Sequence, residues 1–155
     1  MNTNFRSEIK YSRGQGITEF ALILVFLLVL LAGVFDLGRA FFAYMIIRDA
    51  AQEGAVYASI APKSDLGAFY TAVANRVETA YLDPSNPSET PLDINEVTVQ
   101  VDIIGSGCAA PGNSVKVTVD YEFPLAMPFL GAIIGKQKIE MSAFAEDSIL
   151  APICP

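Results

Sequence analysis

The chain has 155 residues, is 52% hydrophobic, carries a formal net charge of −7 and contains no histidine. An acidic chain lacks the basic face that phosphates require, which excludes nucleic acid as an expected partner. Without imidazole the commonest general base and a common metal ligand are gone, so the sequence reads as a non-enzyme with no cofactor, no metal and no small-molecule substrate.

Charge and hydropathy are unevenly placed. Residues 1–14 carry Arg6, Lys10 and Arg13 against Glu8, a net +2, which leaves −9 for the remainder. Phe20 to Phe35 is an uncharged run of sixteen residues. A basic start, an apolar run and an acidic remainder match a single-pass membrane protein with a cytoplasmic N-terminus and an extracytoplasmic C-terminal domain. A cleaved secretory signal fits less well, because its core is usually about 7–15 residues and ends in a small-residue site, and Ala32-Gly33-Val34-Phe35 is a poor one. A transmembrane helix of about 20 residues is satisfied from Gly16 to Phe35 if Glu19 is counted within or at the edge of the membrane. Glu19 then either faces the helix dipole and the headgroups from the first turn or has a partner of opposite charge.

The helical pattern continues past Phe35. Leu37, Ala40, Phe41, Tyr44, Ile47, Ala51, Ala55 and Ala58 recur at spacings of three and four and predict one buried face. Asp36 and Arg39, three apart, are expected to pair for a few tenths of a kcal/mol. Pro62 supplies a stop. Unbroken from Gly16 to Ile60, this helix would be about 68 Å long, about twice what a membrane needs. Its second half must therefore bury against its own C-terminal domain or against neighbouring helices. Ala50, Ala51, Gly54, Ala55 and Ala58 permit close approach in either case, and Gly33 and Gly38 are expected to soften the helix near the membrane exit.

Ser64 is the expected cap of a second helix running to about Leu82, with Leu66, Phe69, Tyr70, Val73, Val77, Ala80 and Tyr81 as its apolar stripe. Residues 83–91 contain three prolines and read as a loop. Three alternating segments then predict strands: Val97, Val99, Val101 and Ile103; Val115, Val117, Val119, Tyr121 and Phe123; and Ile139, Met141, Ala143 and Ala145. One apolar and one polar face on each is the antiparallel habit. The expected fold is α+β: a long N-terminal transmembrane helix extending out of the membrane, a second helix and a three-stranded antiparallel sheet. The apolar link 124–135 reads either as a closure of the sheet's end or as a contact site for a membrane or partner. Cys108 and Cys154 are expected to form a disulfide that ties down a C-terminal tail, worth about 4 kcal/mol on the chain-entropy model.

The segment Arg13-Gly14-Gln15-Gly16-Ile17-Thr18-Glu19-Phe20 resembles the processing site of type IV pilin-like precursors. The resemblance implies cleavage between Gly14 and Gln15 by a prepilin-type peptidase, which makes Glu19 the fifth residue. The freed α-amine and the Glu19 carboxylate would then neutralise each other within one chain or between neighbours. With Thr18-Glu19-Phe20-Ala21-Leu22, Phe35-Asp36-Leu37-Gly38-Arg39-Ala40 and Arg48-Asp49-Ala50-Ala51-Gln52-Glu53-Gly54-Ala55-Val56-Tyr57-Ala58, the chain is similar over about residues 13–60 to the TadE-like family, pseudopilin-like minor proteins of the tight-adherence (Tad/Flp) pilus system; Val115–Pro124 is more loosely similar to that family's C-terminal strands. The resemblance implies a pilin-like fold and a basic cytoplasmic leader at 1–14. A transmembrane segment at 15–36, a helix continuation at 37–61 and an extracytoplasmic domain at 62–155 follow. It also implies a role in pilus or secretion-apparatus assembly, with other pilin-like subunits and the assembly platform as partners. Glu19 would serve subunit pairing, and Phe41, Tyr44, Ala51 and Ala55 helix packing. The alternatives are an uncleaved single-pass anchor presenting a binding domain, and a polymerising pilin that enters the filament.

Overall fold

The computed structural model describes residues 14–60, 65–82, 92–105, 112–127, 131–132 and 134–150. The chain divides into two units, residues 1–35 and 36–155. The elements are helix α1 (Gln15–Ile60), helix α2 (Leu66–Tyr81), a 3-10 turn (Ile94–Glu96) and strands β1 (Val97–Ile104), β2 (Ser114–Pro124) and β3 (Lys138–Ser148). This is the expected α+β fold.

In the first unit α1 is built almost wholly from apolar side chains, and Phe20 to Leu31 are all exposed. Such a surface has no place in water over this length; the helix is long and apolar enough to cross a membrane. Gly33, expected to soften the helix, lies inside it with open space around its Cα.

The second unit is a sheet with helices on one face. The strand order is β1-β2-β3, antiparallel throughout. Central β2 buries Val115, Val117, Val119, Tyr121 and Phe123, while the facing residues of β1 and β3 are mostly half-buried. The register sets Val99 opposite Val119 and Val119 opposite Ala143, so the alternating residues line one apolar surface, as predicted. β3 runs past Ala145 to Ser148, and the pairing continues as the Ile149 N–H donates to the Asn113 carbonyl at 2.9 Å. Ile149 is buried, and the Leu150 N–H donates to the Ser59 carbonyl at 2.9 Å. The chain is therefore tied down as far as Leu150 by backbone pairing at the end of α1, a role expected of the disulfide. Cys108 and Cys154 lie outside the described residues.

α2 begins one residue later than expected. Asp65, not Ser64, is its N-cap, and its carboxylate accepts from the Ala68 N–H at 2.7 Å. A carboxylate there satisfies an orphan donor and also complements the helix dipole. The buried residues are Phe69, Val73, Val77 and Tyr81; Leu66, Tyr70 and Ala80 of the expected stripe face outward.

The part of α1 in this unit buries Ala43, Ile47, Ala50, Ala51, Gly54, Ala55 and Ala58 into the same core. A Cβ on Gly54 would collide with the Val77 side chain and stand 3.2 Å from Val117 Cγ1, so α1 meets α2 and β2 where only glycine fits.

Candidate assembly site

The residues that the sequence marks as candidates for processing and subunit pairing lie at the start of α1. Gly14 is the turn residue directly before the helix, and Gln15 is its first residue. The Gln15 side-chain amide donates to Glu19 Oε1 at 3.0 Å, across one helical turn, and the Thr18 hydroxyl donates to the Gln15 carbonyl at 2.8 Å. Gln15 and Glu19 are therefore in contact, and the Gly14 carbonyl accepts from the Thr18 N–H at 3.4 Å beside them. Spacing of four puts residue 15 and the carboxylate on one helix face, so a main-chain amine released at Gln15 would arise on the residue whose side chain already meets Glu19.

The four residues expected to pack the helix separate into two pairs. Ala51 and Ala55 are buried in the chain's own core. Phe41 and Tyr44 are not; they are 65% and 40% exposed, and Leu37 with them is 70% exposed. The cause is angular. At about 100° per residue, Phe41 lies about 120° around the axis from Ile47, whereas Asp36 and Ala43 lie within about 40° of it. Spacings of three and four can be chained through a segment that is apolar on every side, and the chained stripe then drifts off the buried face.

Asp36 takes the place of those aromatics. It is 3% exposed. Its Oδ2 accepts from the Met127 N–H at 2.9 Å and its Oδ1 from the Ala126 N–H at 3.3 Å. Arg39 Nη1 stands 3.3 Å from Oδ1, and the guanidinium lies 5.3 Å from the centre of the buried Phe123 ring. A buried carboxylate is tolerable only when such donors compensate it. The expected Asp36–Arg39 pair is thus part of a clasp that holds the start of the link 124–135 to α1. The sequence signal for it was an acid directly after an apolar run.

A second charged group lies on the outer sheet face, where Lys138 Nζ donates to Glu96 Oε2 at 2.5 Å and Glu122 Oε2 at 3.0 Å. The hydrogen bond from Lys138, then its charge, holds the Glu122 carboxyl below the ordinary carboxylate range. The two carboxylates in turn raise the Lys138 ammonium. Both groups are solvent-facing, so the cluster orders side chains without contributing much to stability. On α1 and α2, Arg76 pairs with Glu53.

No curated protein and no solved structure matches the chain. The model of the family described as TadE-like protein matches residues 14–56. That span opens at the glycine before α1, includes the Gln15–Glu19 pair and the Asp36–Arg39 pair, and closes within the alanine face of the helix. The chain carries, in residues 14–56, a TadE-like segment that associates it with the membrane and with the tight-adherence pilus system.

Proposed function

We propose that this protein is a minor pilin or pseudopilin that takes part in assembling a tight-adherence type IV-like pilus or secretion apparatus. It acts by helix packing and subunit contacts, not by catalysis. In this reading residues 1–14 stay in the cytoplasm, the unit that begins at Asp36 lies outside it, and a prepilin-type peptidase cuts after Gly14. The observation that carries the reading is the Gln15–Glu19 pair at the first turn of an exposed apolar helix within the TadE-like segment. An acid at that depth is costly unless balanced. Cleavage would supply an ammonium group on Gln15, from the same chain or a neighbour, and pairing between neighbours would fix their axial offset. The exposed surface from Phe20 to Leu31 offers those neighbours, other pilin-like subunits or the assembly platform, an apolar face.

A second reading is favoured by the same pair. The Gln15 amide already gives Glu19 a donor without any cleavage, as an uncleaved anchor presenting its external domain would require. Glu19→Gln separates the two. In the assembly reading this variant inserts and folds normally but loses crosslinks to partner subunits in native membranes. Undiminished crosslinking would remove the pairing role and leave the anchor.

A further inference from the structure

The exposed face of α1 does not turn polar where the apolar run ends. Beyond Phe35 it presents Leu37, Phe41, Phe42 and Tyr44, of which Phe42 is 62% exposed, and only then Arg48, Asp49, Gln52 and Glu53. Asp36, the one acid in this stretch, is withdrawn from the surface by the amides of Ala126 and Met127. Arg39 is half-exposed, and its guanidinium is turned to the Asp36 carboxylate and the Phe123 ring.

We propose that the surface formed by Leu37, Phe41, Phe42 and Tyr44 lies in the headgroup and upper acyl layer of the phospholipid bilayer that α1 crosses. This rests on the membrane-spanning reading of α1. The occupant follows from chain continuity. Phe20–Phe35 supplies sixteen residues, about four fewer than a bilayer core requires. With Glu19 at the cytoplasmic edge the core begins at Phe20, and a core of about 20 residues counted from there ends near Arg39, about one turn beyond the Phe35 reached by counting from Gly16. Phe41, Phe42 and Tyr44 then fall within the next two turns; Tyr44 there matches the amphipathic rings that gather at a membrane–water interface, and Phe41 and Phe42 the apolar side chains that helices bury at the headgroup boundary. The switch to charged residues at Arg48 and Asp49 marks the aqueous side of that layer. At the lipid boundary an ionised Asp36 would oppose insertion, and the clasp removes that opposition by giving the carboxylate protein donors instead of water. The clasp also fixes the start of the 124–135 link beside the residue that follows the apolar run.

The chain has no tryptophan, so single tryptophans report their own surroundings. The full chain, reconstituted in phosphatidylcholine vesicles with acyl chains brominated near the glycerol, is compared with the same vesicles unbrominated. Phe42→Trp and, independently, Phe41→Trp are expected to lose emission by about twofold, as for a group buried at the headgroup boundary, while Val56→Trp is unchanged. Quenching of Phe42→Trp and Phe41→Trp no greater than that of Val56→Trp would overturn the proposal; blue-shifted emission without quenching would do so by assigning the surface to a protein partner. Val25→Trp tests the underlying reading separately: strong quenching there with none at residues 41 and 42 rejects only the lipid seat, whereas no quenching at Val25 rejects the membrane span itself.

Discussion

The two parts of α1 use similar apolar content in opposite ways. From Phe20 to Phe35 the large side chains point into the surroundings and none is buried. From Asp36 to Ile60 the helix buries one face, made mostly of alanine with Gly54, Ile47, Asp36 and Ser59, while Leu37, Phe41 and Phe42 stay outside. Where lipid is one of the solvents, a large apolar residue needs no protein core. The packing face is instead marked by small residues, because they let backbones approach. Hydropathy locates the helix; side-chain size locates what it touches.

The same kind of truncation should therefore have unequal effects in the two parts. Ile47→Ala removes a fully buried side chain and is expected to destabilise the unit that begins at Asp36 by about 3 kcal/mol, read by denaturant unfolding of the full chain in detergent. Leu24→Ala should leave that transition unmoved; a shift of comparable size would erase the distinction between the parts. Asp36→Ala strips two backbone amides and Arg39 of their acceptor, with an expected loss of about 2 kcal/mol. Faster hydrogen exchange at Ala126 and Met127 would locate that loss in the clasp. Gly54→Ala places a methyl against Val77 and Val117 and should cost about 1–2 kcal/mol through overpacking, while Gly33→Ala, in open space, costs nothing or stabilises.

The smallest expected effect is a pH dependence. Burial, and then the charge of Glu78, raise the Tyr81 phenol above its ordinary 10.0. A raised value means that the folded state keeps its proton longer than the unfolded one. The stabilisation is therefore complete below pH 10.0 and is lost as pH climbs from there through the raised value. Tyr81→Phe should flatten the decline in unfolding midpoint across that window; an unchanged decline would assign it elsewhere.

Much of the fold was legible because strand alternation has a period that leaves little choice: Val115, Val117, Val119, Tyr121 and Phe123 can share only one face. The helix faces were less legible. A segment apolar all round carries no angular signal, so the sequence could not tell whether Phe41 and Tyr44 pack in the chain's own core or face outward; they are exposed. Asp36 could be paired with Arg39 from spacing alone, but its amide donors come from a loop about 90 residues away, and no local pattern announces them. The Asp65 cap differs from the expected Ser64 because both residue types cap well and adjacent positions compete. Gln15 and Glu19 were marked in the sequence by the resemblance to a pilin-like processing site, but the Gln15 side-chain donor was visible only in the structure.

The assembly role stands or falls most directly on the state of the N-terminus in the cell. Intact-mass and N-terminal analysis of the protein extracted from native membranes should give a polypeptide beginning at Gln15, its new amine one turn from Glu19. A polypeptide that retains Met1 through Gly14 would contradict a processed pilin-like subunit and leave an anchored external domain in its place.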